Sequence, residues 1–439
     1  MLPLRKRRER GKRLREKAKR NRNAVWAAKK SRGDPVAKIL AANSGCLRQL
    51  CPIKMGRMAA SPFAFFRGAA PLMAADLATL PVSGLRVQIC GDAHLHNLGA
   101  YATADGRLVF DINDFDETIC GPWEWDLKRL ATSLILAGRE ARADKKACGD
   151  SVKAMVEAYR TSMHRFAEMS ICDLARVAIS RGARGTPVHA VLRKARRVTP
   201  NESLRQLTVA GTRTGRRFHD RPPILRHVDS RTRRAVLQSL RGYRATLPIS
   251  HRWVLQAYEP ADVAFKVVGT GSVGTRDYVV LLFGNGSRDP LMLQIKEERS
   301  SCYTPYLSGL ATIQHEGRRV AEGQQKMQTA ADPFLGYTTI QGRPFLVRQL
   351  SDHKASLDLM DLGGTALLEY ALVCGEVLAK GHARTGDSAA IAGYCGYSTR
   401  FDSALAKFAK LYADQTERDY EQFKKAIAEG RVRAASGSE

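Results

Sequence analysis

Residues 262–298 read DVAFKVVGTGSVGTRDYVVLLFGNGSRDPLMLQIKEE. Apolar and polar residues alternate on both sides of a glycine loop, and GNGSRDP marks a second turn, so the stretch predicts a run of antiparallel strands. Gly269, Gly271 and Gly274 form GxGxxG, with Ser272 inside it. In a dinucleotide fold such a loop opens a helix, and a Walker-type phosphate loop ends in a lysine; here a strand follows and no such lysine does. Strand, glycine loop, strand is the kinase arrangement, in which small residues let the backbone approach nucleotide phosphates. The next strand should then carry a lysine for those phosphates, and LQIKEE supplies Lys296. A glutamate on the following helix should orient that lysine, with Glu322 or Glu316 as candidates. Singly, the glycines serve backbone geometry and Lys296 is a strand lysine; their order is what favours nucleotide binding.

A nucleotide site of this kind also needs acids. GDAHLHN (91–97) follows the strand-like LRVQIC (85–90), and DINDFDE (111–117) overlaps the strand-like LVFDI (108–112), so both acidic stretches sit at strand ends. Phosphoryl transfer uses a carboxylate to accept the nucleophile's proton, and oxygen ligands to hold the metal against the phosphates. Asp92 and Asn97 have the DxxxxN spacing of a kinase catalytic loop, and Asp114 opens DFDE as a metal-binding aspartate does. The expected roles are Asp92 as base and Asn97 and Asp114 as Mg²⁺ ligands, hard oxygens favouring that ion. His94 and His96 would shape the loop or ligate. Asp111, Asp116 and Glu117 compete with Asp114; Asp111 lies mid-strand and would need a partner if buried. An EF-hand reading fails because Phe115 falls at a ligand position and no glycine follows.

Composition limits the alternatives. A chain of 439 residues with 44% hydrophobic content can bury a large core in two or three units, and no stretch approaches the ~20 apolar residues of a membrane span. Nine cysteines without a CxxC pair fit reduced thiols, hence an expected cytoplasmic location. The net charge of +28 is polarised: residues 5–32 hold fifteen Lys or Arg against Glu9 and Glu16, a net thirteen. That segment, 1–34, is expected to be a tail, disordered or a frayed helix, that either contacts a polyanion, such as nucleic acid or an acidic surface, or only solubilises the chain.

Between these landmarks, 35–80 reads as helix with a turn at Ser61 and Pro62, and 123–138 and 140–170 as helices. Residues 180–250 read as an Arg-rich, loop-bearing insertion. Beyond the glycine loop, 311–328 reads as helix, 336–350 as a hairpin turning at Gln341 and Gly342, and 363–384 and 400–428 as helices. The expected division is a mainly helical lobe (35–260), a small antiparallel-sheet lobe (261–355) and C-terminal helices (356–439) completing the first.

GDAHLHNLG, NDFDET, GPWEWDLKRLA, RMAASPFAFFRGAA, KVVGTGSVGTR, LVRQLSDHK and LAKGHARTGD together resemble the bacterial family catalogued as domain of unknown function 2252, over about residues 34 to 425. Leu98 stands where that family usually has Phe. More distantly, CGDAHLHN and NDFDE are similar to the HGDxHxxN and IDxE motifs of aminoglycoside and choline kinases, with Cys90 in place of their histidine. This likeness implies that Asp126, in WEWD, braces the catalytic loop. In those kinases the glycine loop precedes the catalytic loop; here it follows, which implies a circularly permuted lobe order.

The expected protein is therefore α+β, a two-lobed, kinase-like phosphotransferase with ATP and Mg²⁺ as cofactors and an unknown acceptor. Two alternatives stand beside it: a nucleotide- or polyanion-binding pseudokinase, and a metal-dependent phosphoesterase built on the DxH of Asp92 and His94. Arg67 and Arg348 are candidate phosphate contacts or structural partners of buried acids. His382 approaches the cleft or caps its helix. The geometric test is whether Lys296 and Asp114 face one cleft.

Overall fold

The computed structural model describes residues 2–103, 105–180, 182, 184–211, 215–267, 273–350, 355–363 and 365–435. The chain begins with five helices, α1 (Leu4–Lys17), α2 (Pro35–Ala42), α3 (Cys51–Met58), α4 (Pro62–Gly68) and α5 (Ala70–Leu77). Strands β1 (Arg86–Ile89), β2 (Leu98–Ala102), β3 (Leu108–Ile112) and β4 (Ile119–Pro122) lead into the long helices α6 (Trp123–Glu140) and α7 (Lys145–Glu168). Then come α8 (Ile171–Arg176), α9 (Pro187–Ala195), α10 (Pro200–Leu207), the short strands β5 (Thr208–Ala210), β6 (Arg216–Phe218) and β7 (Leu225–His227), and helices α11 (Ser230–Thr246) and α12 (Ile249–Gln256). The rest comprises β8 (Glu259–Lys266), β9 (Asp277–Phe283), β10 (Pro290–Glu297), α13 (Glu316–Met327), β11 (Gly336–Ile340), β12 (Arg343–Gln349), β13 (Ala355–Ser356), α14 (Ala366–Thr385), α15 (Ser388–Cys395) and α16 (Arg400–Ala428).

The fold is mixed α+β with several antiparallel sheets. Its largest sheet has the order β11-β12-β10-β9-β8-β7, each neighbour antiparallel. The β11–β12 turn falls at Gln341 and Gly342, both at positive φ (50° and 76°), the backbone that a two-residue hairpin requires. Proline decides the breaks upstream: the expected turn at Ser61 and Pro62 is present, but 35–80 holds four helices in all, with Pro at the first turn of each and Asp34 and Ser61 capping α2 and α4. The expected insertion at 180–250 is structured, because its apolar residues cover the large sheet. Leu204, Phe218 and Leu225 pack on one side of that sheet and Val236, Tyr243 and Leu247 on the other, so the sheet unit begins well before the boundary expected at 260.

The basic segment is not a disordered tail. Helix α1 lies against α15 so closely that a Cβ on Gly11 would sit 1.9 Å from the Ala390 carbonyl oxygen, and one on Gly393 would sit 2.2 Å from that of Arg8. Its charges are partly spent inside the protein. Arg7 pairs with Asp387 at 2.8 Å and Arg8 with Glu168 at 2.7 Å. Arg15 and Arg20 donate to the carbonyls of Gly393, Tyr394 and Cys395, completing the C-terminal end of α15. Arg32 grips Asp76 and Asp419 together. Composition argued for disorder because it counts charge without seeing partners; Lys6, Arg10, Lys12 and Arg13 do remain exposed.

Around α6 the main core forms, with α7, α14 and α16 packed about it. Sixteen of its 18 residues are buried, among them Glu124, Asp126, Lys128 and Arg129. Buried charges need partners, and two of these four reach the acidic loops. No helix among the described residues is long and apolar enough to cross a membrane.

Candidate functional site

Two small ribbons bring the acidic stretches together. β1 pairs with β4, placing Ile89 opposite Ile119, while β2 pairs with β3, placing Leu98 opposite Ile112. The loops 90–97 and 113–118 therefore leave the ribbons at one end, side by side, joined by the Asn113 N–H donating to the Asn97 carbonyl at 2.8 Å. Gly91 sits where they touch, at φ +81° with the Glu117 carbonyl against its Cα.

Helix α6 fixes the first loop from beneath. The Asp126 carboxylate accepts from the backbone N–H of Cys90 at 2.8 Å and of Gly91 at 2.9 Å. One turn on, Arg129 donates from Nε to Asp92 at 2.5 Å and from Nη2 to the Phe66 carbonyl at 3.0 Å. Tyr303 stacks on Trp125 and donates to the Gly91 carbonyl at 2.7 Å, holding the loop from above. His382 is fully buried at 3.2 Å from Asp126 and 2.9 Å from the Tyr159 hydroxyl, so it supports Asp126 and does not reach the cleft.

A cavity of about 780 Å³ opens beyond the loops, lined by Asp92, Asn97, Asp114, Asp116 and Glu117, by Val273 and Thr275 just before β9, and by Lys296 of β10. Lys296 and Asp114 thus face one cleft. The Lys296 ammonium is bonded to the Asp116 carboxylate. Burial opposes charge on both, yet each holds the other ionised: Asp116 is lowered to about 2, and Lys296 lies above its ordinary range. Burial and the neighbouring Asp116 push Asp114 up to about 6. Burial also raises Asp92, outweighing Arg129. His94 and His96 are pushed down by burial and by Arg67, His96 to about 4, so both are neutral imidazoles packed on Phe63. Asn97 donates to the Asp92 carbonyl at 2.9 Å, which ties the end of the first loop to its start.

The other expected site residues lie elsewhere. Asp111 is buried in an ion pair with Lys380, the partner its mid-strand position demanded, and does not line the cleft. Arg348 donates to Gln294 at 2.9 Å and lines a separate small cavity beside Asn113, from where its charge still favours the ionised forms of Asp114 and Asp116. Glu322 is half-buried on α13, paired with Arg318 and Lys326, and Glu316 pairs with Arg319; neither touches Lys296. The expected lysine-orienting glutamate is thus replaced by Asp116. Gly269, Gly271 and Ser272 lie outside the described residues; Gly274 is within them, and its carbonyl accepts from Leu47 N–H at 2.8 Å. Through that bond the α2–α3 connection straps the end of the glycine loop, and Arg299 holds the same connection at the Gly45 carbonyl.

Several neighbours escaped sequence reasoning. Arg129 follows Asp126 by three residues, a helical spacing that could have revealed it. Glu298 follows Lys296 by two, the same-face spacing of a strand. It is buried at the cavity with Oε1 lacking a hydrogen-bond partner, and burial with Asp116 nearby raises its pKa well above the ordinary range. Arg319 reaches from α13 to the carbonyls of Asp116, Thr118 and Arg299, fixing the second loop. Among the described residues no three His, Cys, Asp or Glu side chains are placed to hold a metal ion by themselves.

Asp277 stands opposite Lys296 in the sheet, bonded to Gln294 at 2.7 Å, and burial pushes it up from 3.8 to about 6. With the folded pKa raised, its contribution to stability is intact below pH 4 and is lost as pH rises through 6. Asp277→Asn is expected to stabilise the protein at pH 8 by up to ~3 kcal/mol relative to its effect at pH 4, from about two pK units. Urea unfolding at both pH values checks this; a pH-independent difference would refute it.

A protein-family model described as an uncharacterized protein conserved in bacteria (DUF2252) matches residues 47–426. No curated protein and no solved structure matches.

Proposed function

The chain belongs to this bacterial family, and on the geometry of its cleft we propose that it is an ATP- and Mg²⁺-dependent phosphotransferase acting on a hydroxyl acceptor. The observation that carries the proposal is the Lys296–Asp116 bond, in which a sheet lysine that follows the glycine loop meets acids from a different part of the chain across one cavity. A kinase-like, permuted lobe order is part of the same proposal.

In this reading the nucleotide's phosphates draw the Lys296 ammonium from Asp116. Mg²⁺ is ordinarily held by one or two carboxylates plus substrate phosphates and water, without an all-protein cage. Asp114, with the Asn97 side chain and the orphaned Glu298 Oε1 on the same cavity, fits that donor set. When bound, the ion neutralises charge developing on the transferred group. Asp92, held by Arg129, accepts the acceptor's hydroxyl proton as the new P–O bond forms and nucleoside diphosphate leaves. Its raised pKa suits a base better than an ordinary surface aspartate's would.

The test is calorimetric titration with ATP, with and without Mg²⁺, alongside ADP formation. Lys296→Met is expected to weaken nucleotide binding about 10–100-fold, the value of one bond to a charged group, and Asp114→Asn to remove the Mg²⁺-dependent part. Unchanged ATP affinity in Lys296→Met would overturn the proposal, as would phosphomonoester hydrolysis without ATP.

A further inference from the structure

The chain's positive charge is concentrated in two segments. Residues 176–256 hold eighteen Arg and one Lys against three acids, Glu202, Asp220 and Asp229. Together with the N-terminal segment they carry the whole +28 excess, so the rest of the protein is close to neutral. Val236 and Tyr243 pack one face of α11 on the large sheet, which turns its arginines outward. Arg234, Arg241 and Arg244 form no ion pair among the described residues.

Between α11, α12 and the start of β8 opens a groove of about 690 Å³ that shares no lining residue with the cleft. Gln238, Arg241 and Arg244 line it from α11 and Gln256 from α12, with Glu259 its one carboxylate. Arg234, exposed, lies one turn before Gln238 on the same helix face. On α12, Ile249 and Trp253 stand seven and three residues before Gln256, a spacing that puts all three on one face. They are 73% and 71% exposed, whereas Trp26, Trp123 and Trp125 are buried at 8% or less. Two large apolar side chains left in water beside a groove mark a contact surface.

Charge alone would suit any polyanion, or solvent; the combination narrows the occupant. Guanidinium forks match phosphate oxygens. An indole stacks on any unpaired base, and glutamine amides pair with base edges. A duplex keeps its base faces stacked out of an indole's reach, and an acidic bilayer needs an apolar face to bury, which a groove lined by arginine does not offer.

We propose that the α11–α12 groove binds single-stranded nucleic acid, with phosphates on Arg234, Arg241 and Arg244 and a base stacked on Trp253. The inference does not rest on the phosphotransfer reading.

Trp253 is the one exposed tryptophan of four, so a fluorescence change on contact reports this surface. A single-stranded RNA of about 20 nucleotides and mixed sequence is expected to quench the full chain, with affinity falling about 20–50-fold between 50 and 200 mM salt, as three or four phosphate contacts dictate. Anisotropy of the labelled RNA then reads the variants. Arg241→Glu with Arg244→Glu should weaken binding about tenfold or more. Trp253→Ala should weaken it about 5–100-fold, while Trp253→Phe, which still stacks, should bind within about threefold of wild type but show no quench. Unchanged melting temperatures show that these variants keep the fold. Binding retained in the double arginine variant but lost in Lys6→Glu with Arg13→Glu would move the contact to α1 and overturn the proposal. Equal affinity for polyglutamate would overturn it in favour of an acidic protein segment, and a blue shift with phosphatidylglycerol vesicles without any quench by RNA would overturn it in favour of a membrane surface.

Discussion

Asp92→Asn should reduce phosphoryl transfer by about 10²–10⁴-fold, the range a positioned general base contributes, while ATP affinity changes little. Asparagine is the informative substitution because Arg129, fully buried, depends on Asp92 for its charge partner. Removing the side chain outright would leave Arg129 with neither a counter-charge nor an acceptor, at about 3–5 kcal/mol, and confuse folding with chemistry; asparagine removes the charge too, but its side-chain oxygen still accepts from Arg129 Nε. Nucleotide binding then acts as an internal control, since a variant that merely unfolds loses both. The wild-type pH profile should agree. The base works as the carboxylate and burial raises its pKa, so turnover should fall on acidification at a pH above the ordinary 3.8 of an aspartate. Transfer retained in Asp92→Asn would remove Asp92 from the base role.

How much of this could be read from the sequence depended on the distance over which each signal acts. Strand ends, the β11–β12 turn and the alternating strands of the large sheet were legible because period-two patterning and turn residues are local. The adjacency of the acidic loops was legible for a related reason, as each followed its own strand. What failed was long-range pairing. Asp111 and Asp114 look alike in DIND, yet one meets Lys380 from a helix 269 residues away and the other faces the cavity. The expected glutamate on α13 followed the order of elements in kinases, but here that helix turns Arg319 toward the second loop and pairs Glu322 with its own Arg318 and Lys326. The basic N-terminal segment misled for the same reason: the carbonyls closing α15 and the acids Asp387, Glu168, Asp76 and Asp419 that receive its arginines lie far along the chain, except for Asp76.

Gly91→Ala is expected to destabilise the protein by roughly 2–5 kcal/mol and to cost about 100-fold in turnover, the penalty of misplacing reacting groups by about an ångström. Gly91 is pinned on three sides: its N–H to Asp126, its carbonyl to Tyr303, and its Cα against the second loop, where a Cβ would lie 2.4 Å from the Glu117 carbonyl oxygen. A Cβ is fixed by its backbone and the oxygen it meets is itself backbone, so relief requires the two acidic loops to part, carrying Asp92 away from Asp114 and Asp116. The control is Gly84→Ala. Gly84 has nearly the same backbone, φ +88° against +81°, but nothing lies within 4 Å of its would-be Cβ. Gly84→Ala therefore bears only the left-handed backbone penalty of about 1–2 kcal/mol and should leave turnover unchanged. Urea midpoints and ADP formation on both variants separate the two contributions. If Gly91→Ala matches Gly84→Ala in both, the loops are not clamped through this contact, and the link from GDAHLHN to a single assembled cleft loses its physical basis.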